Sequence, residues 1–118
     1  MKYMLLIWSN QENWDVVPEA EYAEYNALDR SLLDSGELIM SAELADPVMT
    51  KAVQVHDGVA ATTDGPFLEA KEHLAGYFLV ECESLERALA VAATIPAARS
   101  DRQRVEVRPV MDVFGLEM

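Results

Sequence analysis

A Gly-Pro turn surrounded by charged residues lies midway along the chain and holds residue types that can move protons. The stretch "TDGPFLEAKE", residues 63–72, contains Asp64, Lys71 and Glu72. A carboxylate placed beside a substrate can accept a proton, and neighbouring charges can act as its electrostatic partners. Rigid turns are favourable places to hold such groups. We therefore take Asp64, Lys71 and Glu72 as candidate catalytic residues.

The same turn also has a purely architectural interpretation. Asp64 can bond the backbone two residues further on, and Gly65 can adopt a conformation that strains other residues. Pro66 fixes its own φ angle, and Phe67 can anchor the turn in the core or contact a ligand. Clusters of surface charge are usually just solvated, because exposed ion pairs contribute little to stability. The two interpretations are compatible.

An alternating stretch near the C terminus provides the second candidate site. In "VEVRPV", Val105 and Val107 share one face of a strand, which leaves Glu106 and Arg108 on the other. If the valines pack under helices, the charged pair points into the opposite sheet face, where burial is costly unless the charges are satisfied. We expect Arg108 either to form a salt bridge within or across a dimer, or to bind a carboxylate-bearing small molecule, which its planar guanidinium suits.

Other candidate residues carry weaker signals. Trp8 and Trp14 flank a loop and could line a ligand pocket, although core packing is the simpler explanation. His56 and His73 have no further His or Cys at ligand spacing, so we predict no metal site. No phosphate-cradling glycine loop or dinucleotide fingerprint is present, and we predict no cofactor.

Length and charge exclude several classes of function. The 118 residues, 51% hydrophobic and 25% charged, suit one globular domain over residues 1–118. Acidic residues outnumber basic ones 21 to 9, and the formal charge of -12 repels phosphate backbones and anionic membrane surfaces. The most basic stretch, "RSDRQR" at residues 99–104, is interpreted as a loop. We therefore expect neither a nucleic acid nor a membrane partner.

The cysteine content and the first apolar run indicate the compartment. The run "YMLLIW", residues 3–8, is too short to span a bilayer, and no small-residue cleavage site follows it. Cys82 has no second cysteine with which to form an internal disulfide. Its neighbours Glu81 and Glu83 should raise the pKa of its thiol, which argues against a reactive cysteine. We predict a cytoplasmic protein.

Periodicity and caps predict the secondary structure. Strands are predicted for "KYMLLIWS", "ELIMSAEL" (residues 37–44), "GYFLVEC" (residues 76–82) and "RVEVRPVMDV". Asp57-Gly58 between "KAVQVH" and "VAATT" predicts an added β-hairpin. One helix begins at Pro18 and ends at Gly36, and a second begins after Ser84 and ends at Pro96. Their predicted buried stripes are Tyr22, Tyr25, Leu28, Leu32 and Leu33, and Leu85, Leu89, Ala92 and Ile95. Within the second strand, Leu38, Met40, Ala42 and Leu44 are predicted to share one face.

This order predicts an α+β fold, a ferredoxin-like βαββαβ sandwich with an inserted β-hairpin and an antiparallel sheet. Its two helices cover one face of the sheet and leave the other open. The first strand barely alternates and is therefore apolar on both faces, so the open face would expose a patch that soluble monomers rarely tolerate. We expect a homodimer through the sheet faces; a monomer mass by light scattering at micromolar concentration would refute it.

The segments "MKYMLLIW", "TDGPFLEAKEHLAGYFLVE", "ERALAVAATIPAAR" and "VEVRPV" together resemble the YCII-related proteins of the DGPF-motif branch. The resemblance covers nearly the whole chain and implies a dimeric α+β barrel of ferredoxin-like subunits. In the wider family a His-Asp pair in a cleft is proposed as an enzymatic centre, by analogy with barrel enzymes that include a chloromuconolactone dehalogenase. No histidine precedes His56 here, so that pair cannot be carried over. The branch also resembles proteins encoded beside alternative sigma factors.

Two functions from different classes follow. The first is a small dimer that binds a small organic, acid-like molecule in a pocket between sheet and helices, near the DGPF turn, with proton-transfer or lyase-type chemistry. Asp64 is then the base or orienter, Arg108 the anion anchor, and Lys71 or Glu72 the electrostatic partners, with Glu106, Phe67 and Trp8 as further ligand contacts. The second is a non-catalytic regulatory or protein-interaction module in which the turn is only architectural.

Overall fold

The computed structural model describes residues 1–10, 18–65 and 72–111. Its strands are β1 (Lys2–Ser9), β2 (Leu38–Glu43), β3 (Lys51–His56), β4 (Val59–Asp64), β5 (His73–Glu81) and β6 (Gln103–Pro109). Its helices are α1 (Glu19–Asp34) and α2 (Leu85–Thr94), with short 3-10 turns at Pro47–Met49 and Pro96–Arg99. The predicted order of elements is confirmed. The structure begins β5 three residues earlier than the predicted Gly76, at His73.

A four-stranded antiparallel sheet in the order β2-β5-β1-β6 forms the body of the structure. Both helices cover the same face of it, which is the ferredoxin-like arrangement expected from the sequence. The inserted hairpin is a separate two-stranded sheet of β3 and β4. Asp57 (φ 50°) and Gly58 (φ 78°) close it with the positive φ angles that a tight hairpin turn requires.

The core lies between this sheet and the helices. The register places Tyr3 opposite Val80 and Leu5 opposite Phe78, so alternate residues of β1 and β5 share the helix-covered face. Leu5 and Val80 are fully buried there. Leu32 is the buried residue of α1, and Ala88, Val91 and Ala92 are those of α2. Burial of this apolar surface is the main force that holds the helices on the sheet.

The ends of both helices follow local rules. The N–H of Gly36 (φ 79°) donates to the Leu33 carbonyl, and the N–H of Glu37 donates to that of Leu32, which closes α1 in a Schellman motif. The hydroxyl of Ser84 accepts a hydrogen bond of 3.1 Å from the backbone N–H of Arg87 and caps α2. These stop and start signals are confirmed.

The predicted buried stripes are only partly correct. Leu33 is 62% exposed, and Leu85 and Leu89 are 45% and 50% exposed. In α2 the inward face is centred on the alanines, because small side chains let the helix approach the sheet closely. The two leucines therefore lie at the edge of that face, and hydrophobicity alone misplaced them.

Strict alternation along β2 was also a wrong prediction. A bulge between Leu38 and Met40 places Leu38 opposite Val80 on the core face but Met40 opposite Leu79 on the open face. Ser41 consequently faces α1, where its hydroxyl donates to the Asp29 carboxylate at 3.2 Å. One extra residue in a strand reverses the faces of those that follow it, and a period-two pattern contains no sign of it.

A charged pair joins α2 to the start of β2. The Arg87 guanidinium donates from Nε and Nη2 to the two carboxylate oxygens of Glu37, at 2.8 and 2.7 Å. The Ser35 hydroxyl donates to the same carboxylate at 2.8 Å. Arg87, and then Ser35, lower the pKa of Glu37 from 4.5 to about 2 against the opposing effect of burial. The pair therefore stabilises the folded state when Glu37 is ionised.

We predict that Glu37→Gln lowers the free energy of unfolding by about 1–2 kcal/mol at pH 7, a range reduced for the exposure of Arg87. The pKa of Glu37 is lower in the folded state, so its stabilisation is complete above the unfolded value of 4.5 and is lost as the pH falls towards about 2. Urea unfolding at pH 7 and at pH 2.5 measures this. Glu24→Gln, which removes a more exposed pair with Arg99, is the control and should change little. An equal effect of Glu37→Gln at both pH values would contradict the prediction.

Candidate functional site

The open face of the sheet carries the charged residues that the sequence singled out. The register of β1 against β6 pairs Met4 with Arg108, Leu6 with Glu106 and Trp8 with Arg104. Val105 and Val107 pack against the core on the opposite face, as predicted. We call Trp8, Glu72, Arg104, Glu106 and Arg108 the sheet-face cluster.

Trp8 and Arg104 stack at the centre of this cluster. The guanidinium carbon of Arg104 lies 5.7 Å from the centre of the Trp8 ring, within the range of a cation–π interaction. The Trp8 Nε1 atom is buried and has no hydrogen-bond acceptor among the described residues. Buried indole N–H groups usually have an acceptor, so the unpaired Trp8 N–H is a distinctive feature of this cluster.

Two carboxylates hold the Arg104 guanidinium over the indole ring. Arg104 Nη2 lies 3.3 Å from Glu72 Oε1, and Nη1 lies 3.9 Å from Glu106 Oε1. All three side chains are about half exposed, so these pairs contribute little to stability. Their effect is geometric. They bring together three residues predicted from sequence, Trp8, Glu72 and Glu106.

Arg104 was not named as a candidate site residue, although it is the first residue of the predicted strand "RVEVRPVMDV" and the last of the predicted loop "RSDRQR". The structure begins β6 at Gln103, so Arg104 shares the open face with Glu106 two residues later. The alternation that placed Glu106 on this face therefore also applied to Arg104.

Arg108 lies further along the same face and is exposed. Its guanidinium makes no hydrogen bond or ion pair with any residue that the structure describes. Arg30 and Arg102 also have no ion pair among the described residues, so what distinguishes Arg108 is its position on the open sheet face. Arg108 can accept an anionic group from outside the subunit.

A cavity of about 300 Å³ lies between α1 and the other face of the sheet. Tyr22 and Tyr25 line it together with Glu21, Asp29 and Glu43, and none of its described lining residues is Lys or Arg. Burial, and then the charge of Glu21, raise the pKa of Tyr25 to about 12, so its phenol stays protonated. The cavity therefore repels anions. Since Arg108 lies on the opposite face of the sheet, one pocket cannot use both.

Asp64 is the last residue of β4, and its side chain is 89% exposed. It pairs with the Lys51 ammonium across the base of the hairpin, at 2.5 Å, and no hydrogen bond or ion pair in the described part of the chain joins it to the sheet-face cluster. Phe67 and Lys71 lie outside the described residues. Of the predicted catalytic residues, Glu72 is therefore the one that the structure places in the cluster.

Gly65 follows Asp64 with a φ of 78°, and its N–H donates to the Thr50 carbonyl at 2.6 Å. The conformation that the sequence predicted for this glycine is confirmed. The bond ties the turn back to the residue just before β3, so the hairpin and the turn share one anchoring point.

Cys82 is buried beside Glu37, with its Sγ 3.6 Å from Glu37 Oε2. Burial, followed by the Glu37 charge, raises the pKa of the thiol. The predicted direction is confirmed, but its causes are burial and then Glu37 across the fold, and not the sequence neighbours Glu81 and Glu83.

Within the described ranges, no three His, Cys, Asp or Glu side chains converge as a metal ion would require. No helix in those ranges is long and apolar enough to cross a membrane.

Comparison with known proteins identifies the family of the chain. The model of the YCII-related domain matches residues 1–113. The chain belongs to the YCII-related family. It is also 31% identical over 103 residues to an uncharacterised protein of Rhizobium meliloti (strain 1021), a match that covers 87% of this chain and 79% of that protein.

Neither histidine of this YCII-related chain belongs to the segment between β1 and α1 or to α1 itself, although His73 pairs with Ser9 at the end of β1. His56 ends β3 at the tip of the hairpin, where its Nε2 atom lies 3.0 Å from Gln54 Oε1, and His73 begins β5. The His-Asp pair proposed for the wider family therefore has no counterpart here, and the sheet-face cluster is a different set of residues.

We predict that Gly65→Ala lowers the free energy of unfolding by about 1 kcal/mol, because alanine is strained at a φ of 78°. No described atom lies within 4 Å of the added Cβ, so the cost is conformational and not steric. Gly65→Asn is the matched control and should cost less, since asparagine tolerates this conformation. Chemical unfolding measures both. An Ala variant as stable as the parent would contradict the prediction.

Proposed function

We propose that this YCII-related protein is a cytoplasmic homodimer that binds a small carboxylate on the open face of its sheet. The observation that carries the proposal is the sheet-face cluster. Arg104 is stacked on Trp8, the indole N–H has no acceptor in the described part of the chain, and Arg108 has no carboxylate partner there. Two of these three donors, the Trp8 N–H and Arg108, therefore have no acceptor in the described part of the chain, whereas Arg104 has Glu72 and Glu106.

A carboxylate ligand suits this arrangement chemically. The planar fork of Arg108 can hold both oxygens of a carboxylate. A planar ligand body can lie against the apolar side chains of Met4 and Leu6, which are half-buried on the same face. The acidic cavity under α1 offers none of this, so the ligand site belongs to the open face.

The dimer is proposed from the apolar part of the same face. Leu79 is buried there, and Met4, Leu6 and Tyr77 are half-buried, while Met40 is 38% exposed. These side chains occupy β1, β5 and β2, whereas the charged residues of the cluster lie mainly on the edge strand β6. Two sheets packed face to face would bury the apolar part and enclose the cluster at its rim.

Proton-transfer or lyase-type chemistry forms part of the proposal, with Glu72 as the proton acceptor. Glu72 is the predicted catalytic carboxylate in the sheet-face cluster, where it lies 3.3 Å from the Arg104 guanidinium. In this proposal the motif "DGPF" at residues 64–67 assigns the chain to the DGPF branch. We retain Asp64 and Lys71, on or near this turn, as further catalytic candidates. Phe67 remains a candidate ligand contact.

One observation favours the alternative of a protein-interaction module, for which the resemblance to the DGPF branch suggests a regulatory role linked to alternative sigma factors. Leu33, Leu85 and Leu89 are exposed on the helices, away from the open sheet face. Apolar side chains on an outer helical surface can bind a partner protein. In that case no small carboxylate changes the stability of the protein.

We predict that benzoate raises the melting temperature of the parent protein and not that of Arg108→Gln. A ligand at ten times its dissociation constant stabilises the native state by about 1.4 kcal/mol, which thermal shift detects. Arg102→Gln removes the same charge just before β6 and is the matched control, so it should respond as the parent does. Benzamide, the neutral analogue, should have no effect on any of the three. An equal response of Arg108→Gln to benzoate, or no response of the parent to it or to other small carboxylates, would contradict the site.

We predict that Leu6→Glu dissociates the dimer, because it places a charge at the centre of the open sheet face. Leu33→Glu makes the same change at a position on α1 that is 62% exposed, and it should leave the dimer intact. Sedimentation equilibrium measures the mass of each variant, and circular dichroism checks the fold. A parent protein that is monomeric at micromolar concentration would contradict the proposed dimer.

A further inference from the structure

The hairpin of β3 and β4 lies outside the core. All six residues of β4 and five of the six in β3 are exposed. Its three valines, Val53, Val55 and Val59, are 62%, 63% and 68% exposed. No residue of the hairpin belongs to the hydrophobic core. A two-stranded hairpin without further packing is marginally stable in water, so this one needs a surface to pack on.

The register divides the hairpin into two faces of different character. Val53 lies opposite Thr62, and Val55 lies opposite Ala60, so these four residues share one face, which we call the valine strip. The other face contains Gln54 and His56, with Val59 opposite the histidine. The valine strip carries no charge between the Lys51–Asp64 ion pair at its base and the turn at its tip.

Charge favours a second copy as the partner of this strip. The chain has 21 acidic residues, yet Asp57 at the turn is the one acid within residues 52–63. Two copies of charge -12 repel each other, and they can meet only where each surface carries few charges. The hairpin and the apolar part of the open sheet face are such surfaces.

The area that a stable dimer interface buries also favours a second copy as the partner of the hairpin. A face of four strands, about 4.8 Å apart and roughly 25 Å long, covers about 500 Å², less than the 800 Å² or so that each partner buries in a stable interface. One face of the hairpin adds about 200 Å² by the same estimate. In a two-fold dimer each copy gives its own hairpin and receives that of its partner, which brings the total to about 900 Å² per copy.

We propose that the hairpin Lys51–Asp64 is a dimerisation arm whose valine strip packs against a second copy of this chain. The inference rests on the proposed homodimer and adds a second contact to the sheet faces.

The test compares Val55→Asp with Val59→Asp. Both positions lie near the tip of the hairpin, are about two-thirds exposed and gain the same charge, but they point to opposite faces. Sedimentation equilibrium should show at least a tenfold increase in the dimer dissociation constant for Val55→Asp and less than a threefold increase for Val59→Asp. Val53→Asp should behave as Val55→Asp does. Circular dichroism checks that each variant is folded.

The remaining outcomes separate this inference from the proposed sheet contact. If Leu6→Glu dissociates the dimer while Val55→Asp does not weaken it, the arm is wrong and the sheet contact stands. If Val55→Asp weakens a dimer that Leu6→Glu leaves intact, the arm stands and the sheet contact is wrong. Equal weakening by Val55→Asp and Val59→Asp overturns the valine strip, and a monomeric parent protein overturns both proposals.

Discussion

The rest of the structure depends on β1 having two apolar faces. Tyr3, Leu5 and Ile7 are buried beneath the helices, while Met4 and Leu6 are half-buried on the open face. A strand of this kind stabilises a sheet only in a central position, where β5 and β6 pair with its two edges. The first face builds the core. The second leaves an apolar surface on the side of the sheet that the two helices do not cover.

Local sequence signals correctly predicted the hairpin turn and the ends of the helices, because each of these features depends on a few neighbouring residues. Asp57-Gly58 adopts the hairpin turn, Ser84 caps α2, and Gly36 ends α1 in the left-handed conformation that glycine tolerates. The wrong predictions concern the burial and the facing of side chains, which depend on tertiary packing. Leu89 is exposed because the alanine face of α2 packs more closely on the sheet, and Leu38 changes face because of a bulge that leaves no mark on a period-two pattern.

The candidate site could be predicted only in part, for the same reason. Alternation placed Glu106 and Arg108 on the open face, since the face on which a side chain lies follows from its position within a single strand. The meeting of Trp8, Glu72 and Arg104 requires the pairing of β1 with β6 and the approach of the segment before β5, which involve residues far apart in sequence. The sequence also offered no sign that the cavity under α1 is acidic and that Arg108 lies on the other side of the sheet.

The distribution of charge links the site to the assembly. On the open face, Lys2, Arg104 and Arg108 are balanced by Glu81 and Glu106, with Glu72 at the edge, so this face is close to neutral while the chain as a whole carries -12. Most of the acid excess therefore lies elsewhere on the chain. A neutral apolar face on a strongly acidic protein restricts how two copies can meet. Arg104 and Arg108 lie on that face, and they offset the repulsion that the negative charge of the chain exerts on an anionic ligand.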